Sequence, residues 1–229
     1  MPYKIKNYLS KFILHVNQRV FYYTFLYWLR HLFRTDVLHI NELTKRLDRP
    51  IVVVSNHISR WDPFLILSSM RRSFYFRNLV WRIPAYHGFF GRLKYIHFQM
   101  LFLFLGVYPI GGKGSIEKKL ENTINLLKNG HSTVFFPEGK RAVAGEKTKP
   151  KNGIGYVISH QDVYILPVNV QYSKRKQCGL GIKINSKARV VFGKIYKSEY
   201  FREKYDENAI YHGVMGSVFE LENTLRPTS

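Results

Sequence analysis

Cysteine is almost absent: Cys178 is the only one in 229 residues. An internal disulfide is excluded, and a reducing compartment fits. Acidic side chains are scarce. Against 36 Lys and Arg stand 15 Asp and Glu, which leaves a formal charge of +21. Such a balance favours an anionic partner: nucleic acid, an anionic membrane or a phosphorylated substrate. Long apolar runs are missing as well. Residues 20–29 are uncharged between Arg19 and Arg30, and residues 95–110 are uncharged before Gly111. Neither reaches the roughly 20 apolar residues of a comfortable membrane span. No small-residue cleavage site follows the N-terminal apolar segment, so no signal peptide is expected. There is no internal repeat and no low-complexity tract. No His/Cys cluster has metal-ligand spacing, so no metal is expected. Gly111-Gly112-Lys113-Gly114 lacks P-loop spacing, because Val107 stands where that motif needs its first glycine.

What remains describes a globular chain, 45% hydrophobic and 22% charged, long enough to bury a sizeable core. Residues 20–29 and 98–105 are aromatic but greasy. They lack the basic–aromatic alternation of a nucleic-acid platform, so nucleic acid is the least favoured anionic partner. Leu9, Phe12, Ile13, Val16, Val20, Tyr23 and Tyr27 recur at helical spacing behind Lys4, Lys6 and Lys11. Residues 1–40 are therefore expected to form amphipathic helices that lie on or dip into an anionic membrane, with 41–229 as the main domain. A helix packed on that domain is the competing reading. Residues 81–105 read as a second interfacial helix or a buried one.

Short β-branched runs punctuate the rest. Ile51–Val54 reads as a buried strand and Phe74–Val80 as another, after a polar linker over 36–50. Gly106–Ile110, Thr133–Phe136 and Tyr164–Val170 continue the series, and Ile182–Phe192 alternates like a last strand or hairpin. Between them, Ile116, Leu120, Ile124 and Leu127 line one face of a helix that Gly130 stops. Gly153–His160 and Ser198–Leu225 also read as helical. Strands alternating with helices predict an α/β fold, a mixed and largely parallel sheet flanked by helices.

Two strands end in polar loops that carry chemistry. Asn56-His57-x4-Asp62 follows the first, and Phe136-Pro137-Glu138-Gly139-Lys140-Arg141 follows Thr133–Phe136. If both strands are parallel neighbours, both loops reach one edge of the sheet, where α/β folds place ligands. Taken alone, Asp62 reads as a helix N-cap with Pro63 at the first helical position, and His57 as a loop histidine.

In this order and spacing, Asn56–Asp62, Gly106–Ile110, Phe136–Arg141 and Leu166-Pro167-Val168 resemble the motifs of the glycerolipid acyltransferase family, which includes the 1-acylglycerol-3-phosphate acyltransferases. The likeness spans roughly residues 50–172. It implies transfer of a fatty acyl group from acyl-CoA or acyl-ACP to the hydroxyl of a lysophospholipid, most simply 1-acylglycerol-3-phosphate. It implies no resident cofactor. His57 would be the general base and Asp62 its orienter, with direct transfer and no acyl-enzyme. Ser59 would then be a structural hydrogen-bonder. Arg141 would bind the acceptor phosphate, with Lys113, Lys140, Gly139 and Glu138 beside it. Glu138 could equally be a loop organiser. Two departures fall where the acceptor would be read. Lys113 stands in for the arginine usual after the second motif, and Lys140 and Ala142 replace hydroxyl residues of the third. Another lysolipid, a glycolipid or an amino-acid lipid is thus an alternative acceptor, and a non-catalytic lipid-binding protein is an alternative class. The expected location is peripheral or monotopic on a membrane, facing the cytoplasm, with acyl carrier protein as a possible partner.

Overall fold

The computed structural model describes residues 34–39, 47–70, 81–86, 106–141, 149–172, 177–178, 181–182 and 187–223, with isolated helical positions between 16 and 27. The strands are β1 (Asp36–Leu38), β2 (Ile51–Ser55), β3 (Trp81–Tyr86), β4 (Val107–Ile110), β5 (Ser132–Phe135), β6 (Tyr164–Tyr172), β7 (Gln177–Cys178), β8 (Gly181–Ile182), β9 (Ala188–Phe192) and β10 (Tyr196–Lys197). The helices are α1 (Asp62–Met70), α2 (Ile116–Lys128), α3 (Gly153–His160), α4 (Ser198–Lys204) and α5 (Ile210–Asn223). Seven strands run in the order β1-β9-β6-β2-β5-β3-β4, β10 adds to β6, and β7 and β8 form a separate hairpin.

β2 sits at the centre because every residue of Ile51–Ser55 is buried. Such a run suits a strand covered on both faces. It pairs in parallel with β5 and with β6. Alternation then splits the core. Ile51 and Val53 face α1 with Leu166, Val168 and Val170 of β6. Val52 and Val54 face the other layer, built from Leu120 and Leu127 of α2, Ile154 and Val157 of α3 and Val214 and Val218 of α5. Only β9 and β10 run antiparallel to β6. The sheet is mixed and largely parallel, as the periodicity predicts.

Prolines fall where no ladder bond is lost. The Pro167 carbonyl accepts from Gly193 N–H at 2.8 Å, so its own missing N–H lies on that same side, between the β10 and β9 ladders. Pro84 lies beyond the β3–β5 pairing, which ends at Arg82. α2 stops as its sequence demands. Gly130 takes φ 74°, its N–H reaches Leu127 O, and His131 N–H reaches Leu126 O. These two bonds satisfy carbonyls of the last turn.

Three expectations need correction. Residues 36–50 are not all linker, since Asp36–Leu38 pairs in parallel with β9. Trp81–Tyr86 is a sheet strand, not the start of a membrane helix; paired on both sides, its Trp and Ile bury as core. The C-terminal helical segment is not continuous: it breaks at 205–209, and Phe201, Ile210, Val214, Met215 and Val218 anchor its two helices. The expected strand at 74–80, residues 87–105 and most of the N-terminal helices lie outside the described residues. Among the described residues no helix is long and apolar enough to cross a membrane.

Ion pairs gather at the edge where β2 and β6 begin. Arg49 pairs with Glu199, and Arg202 with Asp162 at 2.6 Å. The Arg49 hydrogen bond is the main reason the Glu199 carboxyl falls from 4.5 to about 2. Its stabilisation is therefore complete above about pH 4.5 and is lost as pH falls through about 2. Both partners are about one-third exposed, so solvent weakens the pair. Glu199→Gln should lower the melting temperature at pH 7 by about 1–3 °C. Melts of both proteins down the pH scale should converge between pH 4.5 and 2.

Candidate active site

β2 ends at Ser55, and the chain must leave the sheet without stranding the backbone of β6. Asn56 does this with its side chain. Its Nδ2 donates to Val170 O at 2.9 Å, and its Oδ1 accepts from Val170 N–H at 2.8 Å. The buried amide extends the β2–β6 ladder while its own backbone turns away, and His57 emerges at the carboxyl edge.

Asp62 opens α1 but does not cap it. Leu65 N–H bonds Trp61 O at 2.9 Å, so Trp61 holds the cap position, Asp62 is the first helical residue and Pro63 the second. Proline is harmless there, since first-turn N–H groups have no helical acceptor. The N-cap expectation is thus off by one residue, for a physical reason. The Asp62 carboxylate turns back towards the loop that precedes it. Oδ2 accepts from Ile58 N–H at 2.6 Å and Ser59 N–H at 2.7 Å, and lies 3.0 Å from His57 Nδ1. Oδ1 accepts from the Tyr172 hydroxyl at 2.6 Å. Asp62 is wholly buried, and the His57 side chain is 20% exposed.

An ionised carboxylate only accepts hydrogen bonds. The proton of the His57–Asp62 contact therefore sits on Nδ1, which leaves the Nε2 lone pair as the ring's basic site. Phe136 stacks on the imidazole with centroids 4.3 Å apart and planes 26° apart. One ring edge is tied and one face is covered, so the direction of Nε2 is set.

The second loop meets the first through Glu138. Its Oε1 accepts from His57 backbone N–H at 3.2 Å, and the residue is 3% exposed. Gly139 closes a turn, its N–H reaching Phe136 O at 3.0 Å with φ 65°. The Lys151 side chain lies across it, with Nζ 3.1 Å from where a Cβ would stand. Lys151 N–H also bonds Pro137 O at 2.8 Å. Lys140 and Arg141 follow, both exposed. The structure thus brings His57, Asp62 and Glu138 into one bonded group, with Gly139, Lys140 and Arg141 on the adjoining turn. Lys113 is not brought to it. Exposed on the loop after β4, it shares the edge but stands three strands from β2, or about 14 Å at ordinary strand spacing.

Comparison with known proteins follows the same residues. The Acyltransferase family model matches residues 35–171, more than half of the chain. The chain belongs to the acyltransferase family. No curated protein matches it. Among solved structures, this acyltransferase is similar to PlsC, the 1-acyl-sn-glycerophosphate (LPA) acyltransferase from Thermotoga maritima. The TM-score is 0.60 at 18% identity, over 99% of both chains. At that identity the likeness shows a shared fold.

Sequence reasoning overlooked three residues of this acyltransferase site. Asn56 and Phe136 were only motif letters, with no role assigned, and Tyr172 lies 110 positions from the aspartate it bonds. Spacing alone carries no signal for Tyr172. Its β6 position, two residues beyond the Val170 that Asn56 grips, could have suggested it. Asn56→Ala would leave both Val170 groups without their buried partners, a loss of about 2–4 kcal/mol. Urea denaturation should show a lower midpoint with an unchanged slope.

Proposed function

We propose that the chain transfers a fatty acyl group from an acyl thioester to the hydroxyl of a lysophospholipid, with 1-acylglycerol-3-phosphate as its acceptor. The observation that carries this reading is the His57 Nδ1–Asp62 contact, which reserves Nε2 as a base. The acceptor is suggested by the cations of the Gly139–Arg141 turn and by the activity for which the similar Thermotoga protein is named.

The chemistry follows from these groups. As the acceptor oxygen attacks the thioester carbonyl, His57 Nε2 takes its proton, and Asp62 steadies the resulting imidazolium. The tetrahedral adduct collapses by breaking the C–S bond, and the imidazolium returns the proton to the departing thiolate. The new ester and a free thiol balance the step without a nucleophilic side chain or a cofactor. The donor is a coenzyme A or acyl-carrier-protein thioester. Arg141 offers a planar guanidinium fork to the acceptor phosphate, and Lys140 a second positive charge. Glu138 serves as the loop organiser, through its bond to His57 N–H. Lys140, on the turn beside Glu138 and Gly139, favours a second reading, a lysolipid with a different anionic headgroup.

A panel of lysolipid acceptors with an acyl-CoA and an acyl-ACP donor tests all of this. His57→Ala should lower turnover by about 10²–10⁴. Equal rates in wild type and variant would remove His57 as the base, and a trapped acyl-enzyme would remove direct transfer. Inactivity of both folded proteins across the panel would favour a lipid-binding role.

The membrane reading rests on the N-terminal sequence and on the exposed Val16, Val20 and Tyr27. These side chains fall within a narrow arc of one helical face. Deleting residues 1–35 should lower retention on anionic liposomes more than it lowers the melting temperature. Unchanged flotation of the truncated protein would count against peripheral anchoring.

A further inference from the structure

Tyr172 is the last residue of β6 and pairs with Ala188 at the start of β9. Its ring packs in the core cluster that covers α1. A core tyrosine needs a partner for its hydroxyl, and many acceptors would do. Here the acceptor is Asp62 Oδ1 at 2.6 Å, a short contact of the kind made to an ionised oxygen. Ser59 N–H donates to the other oxygen, Asp62 Oδ2, at 2.7 Å, and Ser59 Oγ accepts from Trp61 N–H at 3.2 Å. Tyr172 thus holds one carboxylate oxygen from β6 while the loop holds the other.

These bonds leave Asp62 little freedom. With Oδ1 held by Tyr172 and Oδ2 shared by His57, Ile58 and Ser59, the carboxylate cannot rotate to swap its oxygens without breaking four bonds. Burial first, and then the Asp62 charge, push the phenol pKa well above its ordinary value, so Tyr172 remains a donor at any ordinary assay pH.

We propose that Tyr172 is a positioning residue for acyl transfer, acting through Asp62: it holds the carboxylate oriented so that Oδ2 stays on His57 Nδ1. This rests on the reading of His57 as base. Tyr172 touches no substrate in this account, so its removal alters turnover rather than substrate capture.

Tyr172→Phe keeps the ring and removes only the hydroxyl. The expected result is a fall in kcat of about tenfold, with KM for thioester and acceptor within about twofold. The acid limb of the kcat/KM profile should move to higher pH, because an Asp62 short of one donor binds a proton more readily and holds the imidazolium more tightly. In an Asp62→Asn background the same substitution should change kcat by less than about twofold, since its route of action is already cut. A purely structural role would lower activity equally in both backgrounds and leave the limb in place.

Wild-type kcat with an unmoved acid limb in a folded Tyr172→Phe protein overturns the proposal, as does a loss that persists undiminished beside Asp62→Asn. Should Tyr172→Phe fail to fold, 3-fluorotyrosine placed at position 172 is the arm that decides. Its more acidic hydroxyl donates more strongly to Asp62, so an acid limb displaced to lower pH supports the proposal, and an unmoved limb overturns it. His57→Ala is assayed alongside. If it retains full activity, the base assignment falls and takes the proposal with it. If it is inactive while Tyr172→Phe keeps wild-type kcat and an unmoved acid limb, only the Tyr172 role falls.

Discussion

A carboxylate with no exposed surface must be met by donors on every side, and Asp62 is such a group. Isolated burial of an ion costs several kcal/mol even after relaxation. Four donors from three directions offset that cost: His57 Nδ1, the N–H groups of Ile58 and Ser59, and the Tyr172 hydroxyl. Each demands something of the fold. The loop N–H groups require residues 57–61 to curl over the start of α1. The phenol requires β6 to continue past the end of β2, where Asn169–Tyr172 pair with β9. The imidazole requires His57 to leave the sheet where it does, which Asn56 arranges by completing the ladder with Val170. A shift of β2 against β6 by one residue would break the Asn56–Val170 pair and displace Asp62 from Tyr172 together.

The sequence was informative where the signal is local. The buried run Ile51–Val54, the amphipathic face of α2 and its glycine stop, and the strand-to-loop transitions before His57 and Glu138 each lie within a short window. Their period or turn chemistry is distinctive. The meeting of His57 with Asp62 was legible only through the family resemblance, because taken alone the two read as a loop histidine and a helix cap. Signals failed where partners are remote or where two structures share one pattern. Trp81–Tyr86 contains Arg82 and Pro84 and precedes an apolar run, so hydropathy grouped it with a membrane helix. Its identity as a strand depends on β5 and β4 lying on either side. Asp-Pro before an apolar run is an ordinary N-cap signature. Only the back-turned hydrogen bonds show that the aspartate had moved inside the helix to serve the loop.

The two ends of the sheet treat charge differently. Where β2 and β6 begin, acids and bases neutralise one another: Arg49 with Glu199, Arg202 with Asp162. At the carboxyl edge the described acids nearest His57 are Asp62 and Glu138, both buried. Both accept from backbone N–H groups, and Asp62 also meets the imidazole. Lys113, Lys140 and Arg141 stand exposed along that edge, without a carboxylate at ion-pair distance among the described residues. Cations that no acid neutralises keep their field for a solute. A low-dielectric rim strengthens that field at short range, and salt confines it to about 10 Å. The acids of this edge hold the histidine in place, and the cations described there face solvent as a positive rim, which under the proposed function would meet the anionic headgroup of the acceptor.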